Sequence, residues 1–487
     1  MVSQNKLPEK IIKIGQLLKK NNFEAFLVGG CVRDLLLNKE PKDWDIATNA
    51  YPEQVLKIFH GSKYENKFGT VLVPEKYLIE KEKGIVEITT YRVESVYSDK
   101  RHPDKVCFAK TLQEDLSRRD FTINAMALEI TSSIEKEKVI DFFTGQKDLK
   151  KGIIRAVGQA DQRFSEDALR MMRAIRFSAQ LGFSIEEKTF LSIKKNAVNL
   201  KNISQERIRD ELIKIILSDY SAEGVDNLRK TGLLNIFLPE LLMGLKVRQN
   251  HHHIYTVYQH NLLSLKNCPS KKLEIRLAAL FHDIAKPVTK VGKGAHSTFY
   301  NHDFIGAKMT KKILTRLKFS KEIIKKTALL VANHMFYYNV GEVSEASVRR
   351  LIAKVGLENM RDLIDLRIAD RLGSGVPKAK PYKLRHFEYM VEKVSTDAVS
   401  VKMLKINGND LMRKLKIPAG PKIGAILEVL LAEVIEDSQK NEKNYLLLRA
   451  KKLERENLME IRKMAQNLIK EKRKEDDTII KKKYWVT

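Results

Sequence analysis

Two carboxylates one residue apart are the first residues in this chain whose spacing suggests chemistry. In Lys42-Asp43-Trp44-Asp45-Ile46 the two-residue period of a strand puts Asp43 and Asp45 on one face, close enough to repel. A cation resolves that repulsion, and oxygen-ligated Mg²⁺ is commonly held by one or two carboxylates together with the phosphates of a nucleotide. A second strand, Val86-Glu87-Ile88-Thr89-Thr90-Tyr91-Arg92, offers Glu87 either as a third carboxylate or as an exposed strand-edge residue. Upstream, Phe26-Leu27-Val28 runs into Gly29-Gly30 and then a helix. Glycines there let backbone N–H groups approach an anion at the helix N-terminus, and Arg33, one turn in, can reach the same phosphate. Many strand-to-helix turns use Gly-Gly for geometry alone, so this feature gains weight only beside the carboxylates.

The elements that must hold these groups divide the chain in two. Residues 1–160 read as α/β, with an amphipathic opening helix, the apolar run Phe26–Val28, and β-rich segments at Gly69–Val73 and Ile85–Tyr91. From about Asp161 strand patterns almost vanish and helical periodicity takes over, in runs such as Asp167–Ala179 and Lys271–Ala285. Charge divides at the same place. The chain of 487 residues carries a formal +28, yet its first 160 residues hold 27 Lys and Arg against 23 Asp and Glu, leaving +24 for the helical remainder. That excess points to a polyanion, nucleic acid before membrane. The last 48 residues, from Lys440, hold 15 basic and 8 acidic residues at Leu/Ile spacing and read as a basic amphipathic helix or helix pair. With 43% apolar residues the chain can build folded cores, which excludes disorder throughout. No stretch approaches the roughly 18 apolar residues of a membrane span, and a cytoplasmic protein is expected. Cys31, Cys107 and Cys268 lie far apart, without the pairing of a disulfide framework or a structural zinc site.

Gly-Gly, then Arg, then Asp-x-Asp about ten residues later resembles the head of the polymerase-beta-like nucleotidyltransferases. GGCVRDLLL followed by KDWDIAT is similar to the bacterial class II group of tRNA CCA-adding enzymes and poly(A) polymerases. The resemblance extends through Arg118-Arg119-Asp120-Phe121-Thr122, with Asn124-Ala125 following, and through Ser165-Glu166-Asp167-Ala168-Leu169-Arg170 with Arg173, Arg176 and Phe177. Asp167 and Arg170 are i, i+3 neighbours if the segment is one helix. Cytosine and adenine both present an amino donor beside a ring-nitrogen acceptor, so a carboxylate beside a guanidinium can accept C or A and reject G or U. That these two residues serve as an amino-acid template is what the resemblance implies. It also implies that Arg119, Arg173 and Arg176 serve the triphosphate or ribose, whereas Leu169, Met172 and Ile175 are core. The stretch Tyr91–Val106 resembles the family's flexible loop, which favours CCA addition over CC-only addition.

Eight of the eleven histidines fall between 251 and 334. Phe281-His282-Asp283-Ile284, with His260 before it and Asp370 after it, resembles the HD phosphohydrolase domain. In that pattern His260, His282, Asp283 and Asp370 are ligands of a divalent transition metal, with His302 and His334 as candidates for a wider site. His251–His253 read as loop or hinge, and Ile406–Leu427 resembles the C-terminal region of CCA-adding enzymes.

The expectation is thus an α/β nucleotidyltransferase head (1–160), a helical neck recognising nucleotide and tRNA (161–245), an HD domain (246–376) and a helical basic body and tail (377–487). The activity expected is Mg²⁺-dependent addition of C, C and A to tRNA from CTP and ATP. A poly(A) polymerase with the same site, or an HD phosphohydrolase whose head only binds RNA, are the alternatives.

Overall fold

A computed structural model describes residues 7–64, 69–73, 86–94, 106–131, 138–249, 254–376, 378–396, 404–436 and 438–486. His251–His253 and most of the Tyr91–Val106 stretch lie outside the described residues. Helix α1 (Glu9–Lys20) buries Ile11, Ile14 and Leu18 at helical spacing and leaves Lys13, Lys19 and Lys20 exposed. Each such buried side chain contributes roughly 1.5–3 kcal/mol.

The strands of the head are β1 (Phe26–Val28), β2 (Trp44–Thr48), β3 (Lys63–Tyr64), β4 (Thr70–Leu72), β5 (Val86–Thr90), β6 (Arg92–Glu94), β7 (Val106–Phe108), β8 (Ala127–Glu129) and β9 (Val139–Ile140). Seven form one mixed sheet in the order β3-β4-β5-β2-β1-β8-β9, while β6 and β7 make a separate antiparallel ribbon. Within the sheet β2 and β5 run parallel, and the other neighbours are antiparallel. Helices α2 (Gly30–Leu36), α3 (Pro52–Ile58), α4 (Leu112–Ser117) and α5 (Gly145–Lys151) connect and flank the strands. Because β5 is paired on both sides, Glu87 does not lie on a sheet edge.

After residue 160 the described residues are helical or loop, as the periodicity predicts, save for β11 (Ser184–Ile185), which pairs in parallel with β10 (Ile153–Ile154). The next helices are α6 (Ala160–Glu166), α7 (Leu169–Leu181), α8 (Glu187–Asn196), α9 (Gln205–Ile216), α10 (Ser221–Lys230), α11 (Leu233–Phe237), α12 (Pro239–Leu242) and α13 (Val257–Lys266). There follow α14 (Leu273–Phe281), α15 (Lys286–Thr289), α16 (His302–Arg316) and α17 (Lys321–Asn333). Asp167–Ala179 is therefore not one helix. Asp167 has an extended backbone (φ −143°, ψ 106°) that ends α6, and its Oδ1 accepts the Leu169 N–H at 2.9 Å at the start of α7. A short acceptor side chain outcompetes helix continuation at such a position. Leu169, Met172 and Ile175 are buried, as expected of core.

Two compact units result, Met1–Ala332 with Gly373–Gly375, and Asn333–Leu372 with Val376–Thr487. Head and neck share the first unit: β10 pairs with β11, Arg173 Nε bonds Asp120 at 2.6 Å, and Arg155 Nη1 bonds Glu186 at 2.8 Å across the expected boundary. The segment 246–376 does not stay whole: the division at 332/333 leaves His260, His282, Asp283 and His302 in the first unit, and His334 and Asp370 in the second. The second unit contains α18 (Glu345–Val355), α19 (Leu357–Gly373), α20 (Tyr382–Thr396), α21 (Gly408–Leu415), α22 (Pro421–Glu436), α23 (Lys443–Glu454) and α24 (Leu458–Tyr484). One of its cores gathers Leu404, Ile406, Leu411, Ile426, Leu430, Leu446 and Leu453. The basic C-terminal segment forms the expected helix pair. The three cysteines are free thiols, and among the described residues no helix is long and apolar enough to cross a membrane.

Candidate active site

The parallel register of β2 and β5 sets Asp45 directly beside Glu87, and Asp43 lies just before β2. Alternation sends Ile46 and Ile88 into the core on the other face, both fully buried. All three acids line a pocket of about 620 Å³. Burial raises the Asp45 carboxyl pKa, Arg119 counteracts this, and Asp43 raises it further. The net elevation marks burial that the nearby guanidinium offsets only in part.

Gly29 caps α2 with φ +78°, a conformation that favours glycine. A Cβ there would also come within 2.7 Å of Arg119 Nη1, so the expected Gly-Gly turn is a close-approach site. Arg33, Arg119, Arg170, Arg173 and Arg176 all line the pocket, and each has an acid or amide holding it. Arg33 donates to Asn124 Oδ1 at 2.8 Å and to Asp34 Oδ1 at 2.7 Å from Nη2. Arg118 and Arg119 share the buried Asp115, at 2.9 and 3.2 Å. Burial alone would raise the Asp115 carboxyl, but the two guanidiniums overcome it and hold the pKa below the usual carboxylate range. Asp120 behaves likewise, burial being outweighed by Arg173, whose Nε donates at 2.6 Å.

Arg176 lines the pocket and is the most deeply held of these arginines. Its side chain is 8% exposed and bonded to Glu211 at 2.8 Å, and desolvation followed by repulsion from Arg173 pulls its pKa down to about 10. Arg33, Arg173 and Arg176 surround the Phe177 ring at 5.3, 5.5 and 4.1 Å, a shared cation–π packing that fixes all three guanidiniums.

Asp167 and Arg170 both face the pocket, yet different partners hold them. Asp167 Oδ2 accepts from Arg207 Nη2 at 2.7 Å, and Arg170 Nη1 donates to Glu166 Oε2 at 2.5 Å. Sequence reasoning missed Arg207, Asp115, Asp120 and Glu211 as supports. Asp120 and Glu166 sit inside the quoted motifs and were legible there, and Asp115 stands three residues before the first of them. Arg207, 40 positions beyond Asp167 in an ordinary amphipathic helix, carried no local signal.

The histidine cluster of the first unit is buried. His260, His282 and Asp283 place ligand atoms within 4.8 Å of one another. His282 Nδ1 lies 2.9 Å from the Ala279 carbonyl and His302 Nδ1 2.7 Å from the Phe299 carbonyl, so each Nδ1 donates and each Nε2 keeps its lone pair. His260 Nε2 and His282 Nε2 are 2.9 Å apart, and His302 Nε2 lies 3.4 Å from Asp283 Oδ1. Such convergence of lone pairs suits a divalent transition metal. Lys286 Nζ, bonded to Asp283 Oδ2 and to Gln249 Oε1 at 2.6 Å each, already brings one positive charge. In the second unit Asp370 accepts from Arg367 at 2.9 Å. A larger hollow of about 1000 Å³ beside Tyr220 and Tyr258 has its acids committed to cations, Glu223 to Lys266 and Asp226 to Arg229, and offers no metal-binding set.

Comparison with known proteins bears on the same regions. Residues 25–155 match the family model "Poly A polymerase head domain", 182–244 match "Probable RNA and SrmB- binding site of polymerase A", and 302–450 match a model of tRNA nucleotidyltransferase domain 2. A CCA-adding enzyme of Lactococcus lactis is 34% identical over 92% of this chain and 99% of its own length. One from Ligilactobacillus salivarius is 33% identical over 91% of this chain and 96% of its own. The solved Bacillus stearothermophilus CCA-adding enzyme in complex with CTP is 27% identical, with a TM-score of 0.59 over 92% of this chain and 98% of that one. By full-length similarity, with the carboxylates and arginines gathered in one pocket, this chain belongs to the bacterial CCA-adding enzyme family.

Proposed function

We infer that this protein adds C, C and A to the 3′ end of tRNA, using CTP and ATP and releasing pyrophosphate. The observation that carries the reading is one pocket holding Asp43, Asp45 and Glu87 together with Asp167 and Arg170. The carboxylates fit Mg²⁺: they are three hard oxygen donors on or just before neighbouring strands, and Arg119 offsets the burial of Asp45 only in part. Bound there, Mg²⁺ supplies Lewis acidity at the α-phosphate and charge neutralisation for pyrophosphate. Arg33, Arg119 and Arg173 bind the triphosphate, each pre-aimed by its own partner. Asp167 accepts from the amino group of C or A while Arg170 donates to the ring nitrogen. Positioning and charge stabilisation then suffice without a covalent protein nucleophile. The basic helical remainder suits the tRNA backbone, and the reaction belongs in the cytoplasm. With tRNA lacking its 3′ end and each labelled NTP, the expected product is stepwise C, C, A. Long A tails would instead favour the poly(A) polymerase reading.

A second reading rests on the histidine cluster of the first unit: His260, His282 and Asp283, with His302 beside them, hold a divalent transition metal. Replacing His282 and Asp283 together by alanine is expected to remove bound metal, measured by elemental analysis of purified protein. Nucleotide addition should stay within about threefold, since the carboxylate pocket keeps all its parts. Retained metal would overturn the assignment of the ligands, and lost addition the independence of the two sites.

A further inference from the structure

A carboxylate closed onto the arginine beside it has no acceptor left for a base. Asp167 and Arg170 instead have separate holders. The Leu169 N–H donates to Asp167 Oδ1 at 2.9 Å and Arg207 Nη2 to Oδ2 at 2.7 Å, so the carboxylate is gripped at both oxygens. Arg170 is drawn the other way, to Glu166 Oε2 at 2.5 Å and the Arg163 carbonyl at 3.4 Å. Arg207 reaches across from α9, lines the pocket with its side chain 28% exposed, and has its other terminal nitrogen, Nη1, buried with no hydrogen-bond partner among the described residues.

We propose that Arg207 is a specificity-positioning residue: it fixes the Asp167 carboxylate for the amino group of C or A and keeps it from collapsing onto Arg170. The proposal rests on the reading of Asp167 and Arg170 as the base-recognising pair. Each oxygen of Asp167 retains a lone pair for the substrate while the existing bonds fix its rotation. Without Arg207 the carboxylate keeps only the Leu169 N–H, and turning toward Arg170 would remove acceptor and donor together. The guanidinium acts through Asp167, so its loss should weaken base choice more than the chemical step.

The test is single-nucleotide addition to tRNA, comparing kcat/KM for CTP with UTP in Arg207→Met, Arg207→Lys, Asp167→Ala and the double variant Asp167→Ala/Arg207→Met. Arg207→Met is expected to lower the CTP preference about tenfold, the scale of one charge-assisted hydrogen bond, through KM for CTP more than kcat. Arg207→Lys should restore most of the preference by returning a cation. In the Asp167→Ala background, Arg207→Met should add no further loss of preference. Unchanged preference in Arg207→Met, where Asp167→Ala has lost it, would overturn the proposal while leaving the base-reading pair intact. An equal effect of Arg207→Met with and without Asp167 would also overturn it. Preference retained by Asp167→Ala would instead remove the reading on which the proposal stands.

Discussion

Replacing Asp45 by asparagine lowers nucleotide addition by about 10³-fold or more, while tRNA affinity stays within a few-fold and thermal stability in metal-free buffer does not fall. The three outcomes share one cause. Asp45 stands directly opposite Glu87 on parallel strands and near Asp43, and like charges so placed destabilise a sheet when no cation separates them. Removing one charge relieves that repulsion. Asparagine keeps the shape and leaves β2 paired with β1 and β5. The loss therefore falls on catalysis, where metal-borne charge stabilisation contributes several kcal/mol and about 4 kcal/mol corresponds to 10³ in rate. Affinity for tRNA is spared because a carboxylate repels phosphate and the cationic remainder supplies the attraction. Labelled CTP incorporation, filter binding of tRNA and a melting curve with chelator measure the three quantities. A drop in melting temperature parallel to the loss of activity would assign Asp45 to structure instead.

The carboxylates were legible because their information is local. Asp-x-Asp on a strand constrains itself, and Gly29 before a helix announces a positive φ. Registry was not local. That Glu87 lies beside Asp45, and on an interior strand, follows from the β3-β4-β5-β2-β1-β8-β9 order, in which β5 pairs with both β2 and β4. Two further features have the same origin. The run Asp167–Ala179 scores as continuous helix because its apolar period is unbroken, but the Asp167 side chain takes the Leu169 N–H and its extended backbone ends α6. Arg176 shares the spacing of Arg170 and Arg173, and only the placement of Glu211, on a helix 35 residues away, shows which acid holds it. Long-range pairing is equally silent in the sequence: composition changes near 160, yet β10 and β11 pair across that point.

Asp167→Ala is expected to reduce kcat/KM for CTP and ATP by about 10²-fold and to bring the preference over UTP and GTP close to unity. Sites built to hydrogen-bond a substrate group discriminate strongly because the wrong group leaves buried polar atoms unpaired. With Asp167 intact, UTP sets a carbonyl oxygen against a carboxylate and a ring N–H against the Arg170 guanidinium, two mismatches at once. Removing the carboxylate eliminates the first mismatch for U and the matching bond for C, so the ratio falls through both terms. It also releases Arg207, whose bond to Asp167 Oδ2 is lost, and the pocket gains mobile positive charge that attracts any triphosphate equally. Salt provides an internal control. Raising ionic strength should weaken tRNA binding steeply through counterion release, yet CTP and UTP carry the same charge, so the wild-type preference should hold while overall affinity declines. A preference that decayed with salt in step with tRNA binding would place base choice in the electrostatics of the body rather than in the hydrogen bonds of Asp167 and Arg170.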